Sequence, residues 1–331
     1  MGAYIIRRFL YMLLLLWFTT MVSYAIIALP PGDYLTSYVA QLRSQGEDIN
    51  DEQIEGLRRA YGLGEPKYVQ YFRWMHQLVV ERDFGRSFAY RQPVSQLLLE
   101  RLPATLLVSI GSTLVVYLLA IPIGIYSAVR QYSPGDYVAT IVGFVGLAVP
   151  NFLLALVLML FFYRTFGVSV GGLTSPQYES APWSVAKVLD LLVHLPVPWL
   201  VIGAAGAASV IRVMRATLLD ELNRPYVETA RAKGVSEWRL LLRYPVRVAL
   251  NPIASTVGWV LPAMFSGAVI TSIVLGLPTV GPILLQALLN QDMFLAAGIV
   301  LILTALTLIG TFISDMLLMV LDPRIRMEGG Q

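Results

Sequence analysis

The chain alternates between long runs with hardly a charge and short segments rich in Arg, Asp and Glu. A run of roughly 20 mostly apolar residues is enough to cross about 30 Å of hydrocarbon as a helix. Six stretches meet that length: Phe9–Leu29, Ala104–Val129, Tyr137–Tyr163, Val197–Val213, Ile253–Leu275 and Met293–Val320. Backbone polar groups in lipid have to be satisfied within their own segment, so the expected fold is all-α, a membrane protein with six transmembrane helices. The first run follows Arg7 and Arg8 as a signal peptide's would. It is too long for one and has no small-residue cleavage site, so it is read as a retained span. The fourth is the least apolar, because it carries Gly203, Ala204, Ala205, Gly206, Ala207 and Ala208, small residues that let helices approach closely.

Composition agrees. The charged fraction is 14% and the mean hydropathy +0.67, whereas soluble domains run at roughly a quarter charged. An even number of spans puts both termini on one side. Inside segments would then hold Arg7, Arg8, Arg130, Arg212, Arg215, Arg224, Arg231, Lys233, Arg239, Arg243, Arg247, Arg324 and Arg326, more than half of the 24 basic residues, in short loops and tails. The positive-inside rule therefore predicts N-in and C-in termini. The organisation expected is a cytosolic N-terminus with the first span (1–30), an external helical cap (31–103) and a five-span core (104–331) containing an inner loop at 219–251.

Several chemistries are excluded. There is no Cys, hence no disulfide, thiolate nucleophile or cysteine-held metal. His76 and His194 lie far apart with no neighbouring ligand pattern, so no catalytic residue and no metal site is assigned. Lys67, Lys187 and Lys233 each follow a residue other than Gly, so the chain lacks the phosphate-cradling Gly-Lys step. Any ATP it uses is bound by another chain. No basic face interleaved with stacking aromatics suggests nucleic acid.

Two polar segments have the punctuation of folded helices. Outside, Asp33 can cap a helix starting at Tyr34, Asn50 with Gln53 resembles a capping box closed by Gly62, Pro66 opens an aromatic-rich helix and Pro93 opens Val94–Leu102. This cap is either a docking surface or gate, or a lid that packs on the spans. Inside, Pro225 starts a helix that Gly234 stops, Ser236 caps a second, and Pro252 ends that one and begins the next span. Two short helices held at an angle look shaped to fit a partner's groove.

The order Glu228-Thr229-Ala230, then Gly234, then Pro252 resembles the EAA loop of permease subunits of bacterial ABC importers, and the long Gly-to-Pro spacing resembles the dipeptide, oligopeptide and nickel branch. The segments RRFLYMLLLL, FGRSFAYRQPVSQLLLERLPATL, GLAVPNFLLAL, VLGLPTVGPILLQALLNQD and LDPRIR are similar to that branch as well. Thr229 stands where the triplet has its middle Ala, and residues 35–60 make a longer outer loop than is usual in the family.

The resemblance implies a type I ABC importer transmembrane domain in the bacterial inner membrane. The chain would form half of the path for peptides or a related solute such as oligosaccharides. Its implied partners are a second homologous permease, two ATPase subunits that hold ATP and Mg, an extracytoplasmic substrate-binding protein, and the surrounding membrane lipid. Glu228, Thr229, Ala230 and Gly234 carry over as the ATPase-coupling contact. Arg231 and Lys233 are next to it, either as further contacts or as solvated inner charges.

Ionisable groups in mid-bilayer are functional suspects, and the chain has very few. Asp315, near the end of the last span, would pair with Arg212 or Arg215. The scarcity of such carboxylates argues against the alternative reading, an ion-coupled secondary transporter. Pro150, Asn151, Ser266 and Thr271 are the candidate path residues, on helices kinked by Pro150 and Pro262, although packing alone could account for them.

Overall fold

The computed structural model describes residues 2–29, 34–36, 38–39, 54–56, 58 and 64–321, excepting the side chains of 2–5, 259, 261–267 and 320–321. The expected caps at Asp33, Asn50 and Gln53, the stop at Gly62 and the tail from Asp322 lie outside these residues, as does the side chain of Ser266. The named elements are α1 (Gly2–Ile27), α2 (Lys67–His76), α3 (Val94–Val129), α4 (Pro134–Ala148), α5 (Asn151–Phe166), α6 (Pro176–Glu179), α7 (Val185–His194), α8 (Pro196–Leu222), α9 (Pro225–Ala232), α10 (Glu237–Arg243), α11 (Pro245–Gly267), α12 (Val269–Val274), α13 (Val280–Leu289) and α14 (Met293–Leu321). A π-helical turn, Gln77–Glu81, extends α2.

Among the described residues, four helices are long and apolar enough to cross a membrane: Ile6–Ile27, Val94–Val129, Val185–Leu222 and Met293–Met319. The third expected span is two helices rather than one kinked one. α4 and α5 meet at 111°, and counting them as one broken span gives five. Val149 is extended at the break and Pro150 is the N-cap of α5. A residue before Pro avoids the helical region, so the chain leaves one helix and re-enters another within two residues. The fifth expected span falls on α11 and α12, separated at Ala268.

Three boundaries differ from expectation. Pro93 opens a single 36-residue helix rather than a short one followed by a span. At 1.5 Å per residue it is about 54 Å long, well beyond the hydrocarbon thickness. Pro252 lies inside α11, and the helix begins at Pro245, where a missing N–H costs nothing. Ser236 stands at the N-cap of α10 but makes no side-chain cap hydrogen bond.

The chain divides into two compact units, one of Met1, Ala104–Pro278 and Ile309–Gln331, the other of Gly2–Pro103 and Thr279–Leu308. In the first, α8 is the central helix and packs on α11, α4 and α5. Its fit depends on small residues: a Cβ on Gly203 would come within 2.8 Å of Val116. Val116, Val201, Val210, Met214, Leu218 and Ala249 form the buried core around it. In the second, Tyr24 of α1 stacks with Trp74 and meets Tyr71 edge-on, at ring distances of 6.0 and 5.3 Å. Asp292 is buried there. It caps α14 by accepting from the Leu295 N–H at 3.2 Å and holds the 85–93 loop through Ser87 Oγ at 2.6 Å and the Ala89 N–H at 3.0 Å. α1 exposes Phe9, Leu10, Leu13, Leu14, Trp17 and Phe18, a surface that lipid covers at no desolvation cost.

A nearly buried ion pair joins α4 and α8 in the first unit. Arg215 of α8 donates to both oxygens of Asp136 from Nε at 3.1 Å and Nη2 at 3.0 Å, and Ser127 Oγ and the Tyr132 N–H also donate to that carboxylate. Arg215 is thus engaged by Asp136, 79 residues away, not by Asp315 as expected. Removing one member of a buried pair leaves the other uncompensated and costs about 3–5 kcal/mol. Arg215→Ala is expected to fall in that range, because the Asp136 carboxylate is nearly inaccessible to solvent. A double-mutant cycle with Asp136→Ala should return a coupling of roughly 1–3 kcal/mol in detergent unfolding.

Candidate coupling site

The polar segment between the fourth and fifth expected spans folds into α9, a tight turn and α10. α9 begins with Pro225 at its first helical position and has Glu228 in its first turn, where a carboxylate faces the positive end of the helix dipole. Val227 and Ala230 face inward and meet Leu240 of α10 and Val235 of the turn, making a small core of their own. The opposite face, Glu228, Thr229, Arg231 and, just past the helix, Lys233, is exposed. Thr229 turns its hydroxyl back to the Pro225 carbonyl at 2.9 Å, so the residue that replaces Ala keeps the helix intact.

Gly234 ends α9 with φ +76°. Its N–H bonds the Arg231 carbonyl at 3.0 Å, and the Val235 N–H bonds the Ala230 carbonyl at 3.3 Å. These are the two bonds of a Schellman motif, and Val235 supplies the apolar contact that accompanies it. A Cβ on Gly234 would meet nothing within 4 Å, so the requirement for Gly is conformational, not steric.

A second tie spans the turn. The Arg231 guanidinium donates to both Glu237 oxygens, at 2.6 and 3.1 Å, and so holds the Glu237 carboxyl below its ordinary range. A carboxylate with a depressed folded pKa contributes above its unfolded value and stops contributing as pH falls, so this tie is intact at neutral pH and opens on acidification. At the entrance to α9, Tyr226 donates to Glu221 at 2.5 Å, and burial reinforced by that carboxylate pushes the phenol up to about 12.

The structure therefore brings Glu228, Thr229, Arg231, Lys233 and Gly234 into one exposed helix-and-turn element, with Ala230 beneath it. The candidate path residues are less closely grouped. Pro150 and Asn151 lie at the 111° bend, and Thr271 is buried on α12, which packs on α5. The Asp136–Arg215 pair was missed from sequence. Ser133 and Asp136 do form a detectable N-terminal signature, with the Asp136 N–H bonding Ser133 Oγ at 3.2 Å, but nothing local points to a partner on α8. Among the described residues no cluster of His, Asp and Glu could hold a metal.

Comparison with known proteins adds the following. Residues 120–327 match the family described as binding-protein-dependent transport system inner membrane component, and residues 1–109 match its N-terminal companion. The chain is 35% identical to the oligopeptide transport system permease protein AppB of Bacillus subtilis, across 98% of this chain and 99% of that one. It is 29% identical to a probable D,D-dipeptide transport system permease of Escherichia coli K12, across 94% and 93%. Among solved structures, a chain of the MetNI methionine ABC transporter in inward-facing conformations superposes with a TM-score of 0.51 at 14% identity, covering 69% of this chain and 97% of that one.

A non-Gly residue in the left-handed region costs about 1–2 kcal/mol. Gly234→Ala should therefore raise hydrogen exchange across 225–243 roughly tenfold, and Gly234→Val more, while exchange in α8 stays unchanged.

Proposed function

Because the chain belongs to the binding-protein-dependent transport family, as a permease subunit of a bacterial ABC importer of the peptide branch, we propose that it forms half of a translocation path driven by ATPase subunits bound to α9 and its turn. The observation that carries this reading is the element itself. Glu228, Thr229, Arg231 and Lys233 are presented on an exposed face, and Gly234 and the Arg231–Glu237 pair fix the angle to α10. A partner that displaces such an element moves α8 and α11 with it, since α9 follows α8 and α10 precedes α11.

In this proposal the chain has six spans with both termini cytoplasmic, and the broken third and fifth crossings are supplied by α4 with α5 and by α11 with α12. Residues 31–103 face outward as the docking side for a substrate-binding protein, and 219–251 face the cytosol. A second homologous permease completes the path near Pro150, Asn151, Ser266 and Thr271. Two ATPase subunits supply ATP and Mg chemistry, and this chain contributes no catalytic group. Peptides are preferred over oligosaccharides as cargo because the relatives above carry oligopeptide and dipeptide names. An ion-coupled carrier is disfavoured by the family membership and by the few carboxylates within the spans.

The test uses the full transporter co-purified with its ATPases and reconstituted in proteoliposomes. Glu228→Ala and Gly234→Val should each lower binding-protein-stimulated ATP hydrolysis and peptide uptake at least about tenfold, the equivalent of about 1.4 kcal/mol. Membrane insertion should be unchanged. Full uptake by the chain alone under an ion gradient, or full coupling in both variants, would overturn the proposal.

A further inference from the structure

A cleft of about 930 Å³ opens between the Arg130 end of α3 and the outer side of α10, at the upper end of the size of small-molecule sites. One wall is membrane helix: Ile125, Tyr126 and Val129 in the last turns of α3, with Tyr126 and Val129 about half exposed. Trp238 and Leu242, one helical turn apart on α10, form the other wall and remain 70% and 45% exposed. The charged lining is Arg130, Arg231 and Glu237. Arg231 and Glu237 neutralise one another in their two-bond pair, so the cleft carries one net positive charge, at Arg130, where the apolar length of α3 ends.

An apolar wall continuous with a spanning helix, a Trp at its edge and an uncompensated Arg at its mouth match a lipid at the membrane–water boundary. Tryptophan concentrates at that boundary, basic pockets between spanning helices hold anionic headgroups, and a guanidinium binds phosphate oxygens through paired N–H donors. We propose that this cleft binds one anionic phospholipid, its acyl chains along Ile125–Val129 and its phosphodiester at Arg130. A soluble anion would leave the Trp238 and Leu242 wall exposed to water, and a zwitterionic lipid would bring its own headgroup cation beside Arg130, offsetting the attraction of its phosphodiester. The cleft borders the coupling element through the Arg231–Glu237 pair, but the groups assigned to the lipid, Arg130 and Trp238, lie off α9, and the inference does not depend on ATPase coupling.

The test is native mass spectrometry of the purified transporter, permease pair with ATPases, in detergent doped with palmitoyl-oleoyl phosphatidylglycerol, with the matching phosphatidylcholine, or with inorganic phosphate. Phosphatidylglycerol should be retained in preference to phosphatidylcholine and should resist competition by phosphate. Arg130→Gln and Trp238→Ala should each weaken retention roughly tenfold, with Arg130→Lys in between, and both variants should elute as intact complex because both side chains are surface groups. Glu228→Ala should retain the lipid as the wild type does, which separates this result from failure of the coupling proposal. Equal retention of the two lipids, displacement by phosphate alone, unchanged retention in Arg130→Gln, or a partner subunit seated in the cleft of the assembled complex would each overturn the inference.

Discussion

A backbone in hydrocarbon has no water to bond, so each crossing segment must close its own hydrogen bonds or be covered by neighbours. That requirement makes the chain all-helical through its apolar runs and decides where it can break. The breaks come at Pro150 and in the short links at Ala268 and Gly276, of which Ala268 lies in the packed core of the first unit and Gly276 is flanked by its Leu275 and Leu277. The Gly172 N–H donates to the Leu275 carbonyl at 2.6 Å, so a loop residue covers the end of α12 that a continuous helix would have covered itself. Irregular backbone is tolerated there because another segment supplies its partner.

Charge follows the same logic. The Asp136–Arg215 pair sits at the beginning of α4, where it ties the ends of α3, α4 and α8, and Arg231–Glu237 ties α9 to α10. The first is nearly buried, and its Arg is needed to offset the desolvation of Asp136. The second is fully exposed and contributes angle more than stability. With Gly234 setting the turn and a four-residue core beneath it, the two short helices behave as one stiff body attached to α8 and α11, as a lever moved by a partner would need to be.

Much of this was legible in the residues, and the failures have specific causes. Apolar run length located α1, α3, α8 and α14, and the pairing of Pro225 with Gly234 located α9 and its end, because those signals act within a turn or two of chain. Pro93 did open a helix at Val94, though one that runs on to Val129, whereas Pro252 misled. A proline marks a helix start only when its missing N–H falls among the unbonded first four, and Pro252 lies about two turns into α11. Ser236 has the right backbone for a cap, but its side chain takes no part. Pro150 signalled a kink, yet a 111° bend needs the rest of the core to hold both halves.

The amino-acid sequence by itself determined the class of the molecule: helices long enough for lipid, and a helix–Gly–helix element ordered as in an ABC importer permease. These follow from local length, composition and turn chemistry. Tertiary structure alone decided that Arg215 belongs to Asp136 and not to Asp315, that Arg231 closes on Glu237, and that Arg130, Trp238 and α3 enclose a cleft. Those contacts join residues from six to more than a hundred positions apart. Which of several available charges or faces comes within bonding distance is set by how the helices pack, and no local pattern records it.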